Sequence, residues 1–116
     1  MASAAPASPT VILTDRNRHV RELLAREFAK AGFEVRCFGL GREAACVAER
    51  EGDVLVVDGD LPDMDAASVV RKVRLSRPRI PVAVHGHDRE EAGESLADAL
   101  VFFVPKADDP ALLVGR

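Results

Sequence analysis

The chain of 116 residues contains no tryptophan and no tyrosine, and its few aromatic residues are five phenylalanines. These phenylalanines are not interleaved with basic residues, and the formal net charge is only −3. Neither base stacking nor bulk electrostatics therefore favours direct nucleic-acid binding. No apolar run approaches the roughly 20 residues that span a bilayer, so we expect no membrane segment. The remaining composition, 47% hydrophobic and 30% charged, is that of one ordinary globular domain.

Cysteine is also scarce. The two cysteines, Cys37 and Cys46, have neither metal-ligand spacing nor the spacing of a redox pair. Cys37 continues an alternating strand pattern and Cys46 lies among alanines on a predicted helix. We therefore expect both thiols to be buried and to act as small apolar side chains.

The first nine residues are rich in Ala, Ser and Pro but lack the basic start and the apolar core of a signal peptide. We expect a disordered tail over residues 1–9 and a cytoplasmic protein. From residue 10 to residue 116 the pattern is that of a single domain.

Apolar segments alternate with amphipathic ones along that domain, which predicts five β–α units. The predicted strands are 11–14, 34–38, 54–58, 82–85 and 100–104. The predicted helices are 20–31, 42–51, 65–76, a polar segment 88–97, and a last helix that starts at 109–110 with room for about two turns. Such alternation predicts an α/β fold, a doubly wound parallel sheet with helices on both faces and a short or truncated last helix.

Charged residues follow three of the predicted strands. Asp15 follows the first strand, Asp58 ends the third, and Lys106 comes just after the fifth. A single aspartate at such a position is most often a turn former or a helix cap. Because the carboxyl ends of parallel strands share one edge of the sheet, the three together predict an acidic pocket with one cation beside it.

The residues around these charges resemble a known family, the receiver domains of two-component response regulators. The segment 58–65, Asp-Gly-Asp-Leu-Pro-Asp-Met-Asp, is similar to the family's phosphorylation loop. Val-Pro-Lys at 104–106 is similar to its lysine site, with Phe103 at the aromatic switch position. The likeness extends over residues 10–116, and it implies five strands in the order 2-1-3-4-5, an order carried over from the family.

The resemblance implies roles for four residues. Asp58 would be the phosphoacceptor, and Lys106 would contact the transferred phosphoryl group. Asp15 and Asp58 would supply carboxylates to Mg²⁺, with an oxygen from Asp60. The implied partners are a histidine kinase or phosphotransfer protein and an output domain or partner protein, and a homodimer is compatible with the family. The domain would catalyse its own phosphorylation without being an enzyme on free substrates.

Two departures from the family alter this pocket. Arg16 stands where the family usually has a second acid, so we expect Mg²⁺ to bind weakly. Its guanidinium could pair with Asp58 or Asp60, or point into solvent, and Asp60 could compensate as a ligand or be an ordinary turn carboxylate. Gly86 stands where the family has a Thr or Ser hydroxyl.

The histidines carry no metal-ligand spacing, and we expect His19, His85 and His87 to be exposed loop residues. The altered pocket leaves a second hypothesis, a degenerate receiver that acts as a phosphorylation-independent interaction module. Two weaker hypotheses are a small hydrolase with Asp58 as its nucleophile and a flavin-binding module. The hydrolase would need a cap over its substrate, and the flavin module a phosphate loop after the first strand.

Overall fold

The computed structural model describes residues 8–106 of the chain. The strands are β1 (Thr10–Thr14), β2 (Glu34–Phe38), β3 (Val54–Asp58), β4 (Val82–Gly86) and β5 (Val101–Pro105). The helices are α1 (Arg18–Lys30), α2 (Gly41–Ala48) and α3 (Ala66–Arg74), and a 3₁₀ segment, η1 (Arg89–Ala97), joins β4 to β5. The predicted last helix and residues 1–7 of the predicted tail lie outside the described residues.

The five strands form one parallel sheet in the order β2-β1-β3-β4-β5, as predicted. The central strands are runs of Val, Ile and Leu that are buried on both faces, as is typical of parallel sheets. In the register of the sheet, Asp58 lies opposite His85, and Gly86 lies opposite Pro105. The residues that end β3, β4 and β5 therefore meet at one edge.

Two apolar cores flank the sheet. The larger core lies between the sheet and the face made by α2, α3 and η1, and the smaller one lies under α1. The inward face of α3 is formed by Ala66, Val69, Val70 and Val73, which are all buried. On α1, Leu24 and Phe28 are buried, whereas Leu23 is exposed.

The prediction that both cysteines are buried was wrong. Cys37 and Cys46 are both exposed, free thiols. Cys37 lies on β2, an edge strand that has a neighbour on one side only and is covered less than the inner strands. Cys46 lies outside the stripe of α2 that faces the core, which is formed by Gly41, Ala44, Ala45 and Ala48.

The segment between β4 and β5 differs from the predicted continuous helix. Asp88, the first residue of the predicted helix, is its N-cap, but the segment adopts 3₁₀ geometry and is broken at Gly93, where φ is 56°. Positive φ is open to glycine at little steric cost, so this residue lets the chain turn within the segment. None of the helices in the described part of the chain has the length and apolar character needed to cross a membrane.

Candidate functional site

The predicted charge cluster forms at the carboxyl edge of the sheet. Asp15 and Asp58 are both buried, with 1% and 0% of their surfaces exposed. Lys106 reaches between them, with its Nζ 2.8 Å from Asp58 Oδ1 and 3.7 Å from Asp15 Oδ2. The three strand ends thus bring two carboxylates and one ammonium into a single pocket.

Asp58 is held as an ionised carboxylate by three donors. Its Oδ2 accepts a hydrogen bond of 2.9 Å from the backbone N–H of Arg16. Its Oδ1 accepts from Lys106 Nζ at 2.8 Å and from the backbone N–H of Asp60 at 3.0 Å. Burial alone would raise the pKa of Asp58, but these three hydrogen bonds outweigh it and hold the pKa below its ordinary value.

The pKa of Asp15 is shifted in the opposite direction from that of Asp58. Burial, assisted by the nearby negative charge of Asp58, raises the pKa of the Asp15 carboxyl. Its Oδ1 accepts a hydrogen bond of 2.8 Å from the N–H of Asn17, whereas its Oδ2 is buried without a hydrogen-bond partner within residues 8–106. A buried acceptor oxygen without a donor is suited to a cation, because a cation would compensate its lost hydration.

The Arg16 guanidinium turns to Asp60. Arg16 Nη1 lies 2.9 Å from Asp60 Oδ2, and the two side chains are 54% and 62% exposed. Only the backbone of Arg16 contacts Asp58. Of the alternatives left open by the sequence, the structure selects an ion pair with Asp60 at the rim of the pocket.

This ion pair engages the side chain of Asp60, one of the three predicted metal ligands. Asp15 and Asp58 present two adjacent carboxylates, one with an unused oxygen, which suits a hard divalent cation. The side chain of Asp60 does not join them, and no group of three His, Cys, Asp or Glu side chains within residues 8–106 is arranged to hold a metal ion. Two carboxylates therefore fit Mg²⁺, and the third oxygen stays a prediction.

The prediction for His85 was wrong, because this residue lies near the end of a strand and is only 7% exposed. Its Nδ1 is buried without a hydrogen-bond partner within the described residues. Burial, and after it the positive charge of Lys106, lower the pKa of His85 to about 4, so the imidazole is neutral at pH 7. His19 and His87 are exposed, as predicted, but His19 lies on α1 and not in a loop. The sequence signal for the burial of His85 was the run of apolar residues that precedes it in β4.

A further residue at this edge, Glu91, was missed by the sequence analysis. Its carboxylate accepts hydrogen bonds from the backbone N–H groups of His87 and Asp88, at 2.6 and 2.9 Å. Asp88 and Glu91 form a capping box at the start of η1. An acid three residues after an N-cap aspartate is the sequence signal that could have found it.

The pocket opens into a cleft of about 570 Å³. Charged and polar groups line it on the side of the sheet, among them Asp15, Lys106 and His87. Val20 and Leu23 of α1 also line the cleft and give it an apolar part. The cleft thus reaches Asp15 and Lys106, whereas Asp58 lies beneath them with 0% of its surface exposed.

Known proteins share this fold and parts of this sequence. The chemotaxis protein CheY4 of Vibrio cholerae superposes with a TM-score of 0.83 at 24% identity, over 94% of this chain and 95% of that one. The C4-dicarboxylate transport transcriptional regulatory protein DctD of Rhizobium meliloti is 30% identical over 103 residues, or 86% of this chain. The DNA-binding transcriptional regulator NtrC of Salmonella typhimurium is 30% identical over 112 residues, or 91% of this chain. No protein-family model matches the chain.

The fold and the sequence similarities of the chain point to one class of protein. Its five-stranded fold defines the structural class, that of the CheY-like receiver domains. Its sequence similarity to DctD and NtrC, which are response regulators, agrees with that class: the chain is a receiver domain. It spans only 22% and 24% of the lengths of these two relatives.

Proposed function

We propose that Asp58 accepts a phosphoryl group from a histidine kinase or a phosphotransfer protein, and that the phosphorylated domain controls an attached or partner output. The observation that carries this proposal is the state of Asp58, a buried carboxylate kept ionised by Lys106 and two backbone N–H groups. An ionised carboxylate is a nucleophile, provided that charge on the phosphoryl group is neutralised.

In the proposed reaction, an oxygen of Asp58 forms a bond to phosphorus while the phosphorus–nitrogen bond of the donor's phosphohistidine breaks. The bonding electrons return to the imidazole of the donor, which takes up a proton from solvent. Such transfers depend mainly on positioning and electrostatics. Lys106, already within hydrogen-bond distance of Asp58, would neutralise part of the charge on the transferred group.

Receiver domains in general bind Mg²⁺ at an acidic pocket. In this chain Asp15 and Asp58 would hold the ion, together with an oxygen of Asp60. The bound ion would supply positive charge against the phosphoryl oxygens. We expect its affinity to be low, because the Arg16 guanidinium lies at the rim of the pocket and engages Asp60.

Receiver domains are signalling modules rather than conventional enzymes. We therefore propose that the chemistry of residues 10–116 is limited to phosphorylation and dephosphorylation of Asp58, in the cytoplasm and without direct contact to nucleic acid. The similarity to response regulators favours this role over a phosphorylation-independent interaction module. It likewise gives no support to the hydrolase and flavin hypotheses.

The test is the mass of the intact protein after incubation with phosphoramidate and Mg²⁺. We expect one phosphoryl adduct on the natural chain and none on Asp58→Asn, which keeps the shape of the side chain but removes the nucleophilic charge. Asp63→Asn is the matched control: its carboxylate lies on the same loop but accepts from the N–H groups of Gly41 and Arg42, at 2.8 and 3.0 Å. An adduct that persists in Asp58→Asn would refute the assignment.

A further inference from the structure

The carboxylate of Glu91 occupies the space that a side chain at position 86 would fill. A Cβ atom built on Gly86 would lie 2.5 Å from Glu91 Oε1 and 3.3 Å from Cε1 of Phe103. The same Oε1 accepts the hydrogen bonds from the N–H groups of His87 and Asp88. The space beside Gly86 is thus bounded by the glutamate carboxylate and by the aromatic ring of Phe103 on β5.

Glu91 also reaches the residue that follows Asp58. A Cβ atom on Gly59 would lie 2.9 Å from Glu91 Cβ and 3.2 Å from Oε1, so the absence of side chains at both glycines makes room for the glutamate. The carboxylate therefore lies beside the backbone of both Gly59, which follows Asp58, and Gly86, which ends β4.

The start of η1 holds this carboxylate in place. Glu91 belongs to the capping box with Asp88, which ties its side chain to the backbone at the end of β4. Gly93 breaks the segment two residues later. Movement of Glu91 would thus loosen the first turn of η1, which packs against α3 and β5.

We propose that Glu91 is a positioning residue of the phosphoryl site, an internal anion that holds the His87 N–H until a phosphoryl group on Asp58 displaces it. This inference rests on the proposed role of Asp58. A phosphoryl group carries about 1.5 to 2 negative charges at pH 7 and three acceptor oxygens. It would repel the Glu91 carboxylate and compete with it for the backbone N–H of His87. His87 lines the cleft that also contains Asp15 and Lys106.

The experiment compares the affinity for beryllofluoride, a phosphoryl mimic, in the presence of Mg²⁺. Glu91→Gln keeps an oxygen acceptor for the two N–H groups but removes the charge, so we expect it to bind the mimic about tenfold more tightly than the natural chain. Glu90→Gln is the matched control, because it removes the same charge from an exposed neighbour on the same segment. We expect its affinity to be that of the natural chain.

Hydrogen exchange of the His87 amide provides the second measurement. In the natural chain we expect this amide to be protected without the mimic, and the protection of the neighbouring Asp88 amide to be lost when the mimic binds. Equal affinities of the natural chain and Glu91→Gln, or weaker binding by Glu91→Gln, would overturn the inference and leave Glu91 as a helix cap only. If neither protein binds the mimic and neither is phosphorylated, the proposed role of Asp58 fails first and the inference fails with it.

Discussion

The two halves of the pocket rim differ in which groups accept hydrogen bonds from the backbone N–H donors. On the side of β1, β3 and β5, two buried carboxylates and Lys106 form a compact cluster, and backbone N–H groups fix Asp58 from two directions. On the side of β4 and η1, Gly86 has no side chain, and a carboxylate from the following turn takes up the backbone donors instead.

The residues proposed for phosphoryl transfer are therefore distinct from the residue proposed to respond to it. The first half contains the groups that we propose for phosphoryl transfer, Asp15, Asp58 and Lys106, each at or directly after the end of a strand. The second half contains Glu91, which we propose to respond to the phosphoryl group and which lies on a short 3₁₀ segment broken by a glycine. A ligand shifts a conformational equilibrium only by its differential interaction with the two states, so the response of this domain depends on what holds Glu91.

The largest effect expected at this edge concerns His85, whose pKa is about 4 in the folded chain against an ordinary value of 6.5. Between these two values the unfolded chain binds a proton that the folded chain does not, so stability falls as the pH is lowered from 7 to 4. The loss from His85 is roughly 3 kcal/mol. His85→Leu should remove this part of the pH dependence, measured by urea unfolding at pH 7 and pH 4.

The charged neighbours of His85 are Lys106, Asp58 and His87, which stay in place in that variant. His19→Leu is the matched control, because this histidine is exposed on α1 and is not among the charged neighbours of His85, so we expect this variant to lose as much stability as the natural chain. Equal losses in His85→Leu and the natural chain would mean that His85 is hydrated and titrates normally.

The contrast between the two halves also shows how far the sequence could predict the molecule. The buried strands, the sheet order and the meeting of Asp15, Asp58 and Lys106 follow from apolar periodicity, from the family resemblance and from the geometry of parallel sheets. The exposure of Cys37 could not be predicted in this way, because alternation does not show that a strand lies at the edge of the sheet.

The arrangement of residues on the β4 side could not be predicted, because it depends on contacts that no local sequence pattern specifies. Whether His85 belonged to a strand or to the loop after it decides its burial, and the ends of elements are the least certain part of a sequence prediction. Glu91 reaches Gly86 and Gly59 only because β3 and β4 are neighbours in the sheet. The capping box was visible in the sequence, but the pocket it faces was not.

A smaller effect is expected for Gly86→Thr, which tests whether a side chain at position 86 would occupy the same space as the Glu91 carboxylate. Gly86→Thr would place a Cβ atom 2.5 Å from Glu91 Oε1, so the glutamate must leave its two backbone donors. We expect a loss of about 1–3 kcal/mol in the free energy of unfolding. In a Glu91→Ala background the same substitution should cost less than half as much, as a urea-unfolding double-mutant cycle would measure. Additive costs would show that the two positions do not compete.

The smallest effect concerns Arg16 and the affinity for Mg²⁺. Arg16→Asp removes the guanidinium that engages Asp60 and adds a carboxylate beside Asp15, while the backbone N–H that binds Asp58 remains. We expect Mg²⁺ to bind at least about tenfold more tightly, a gain of about 1.4 kcal/mol, measured by calorimetry. Arg18→Asp makes the same change in charge two residues away, at a side chain paired with Glu22, and should have little effect. Equal affinities of Arg16→Asp and the natural chain would show that the Arg16–Asp60 pair does not control the affinity for Mg²⁺.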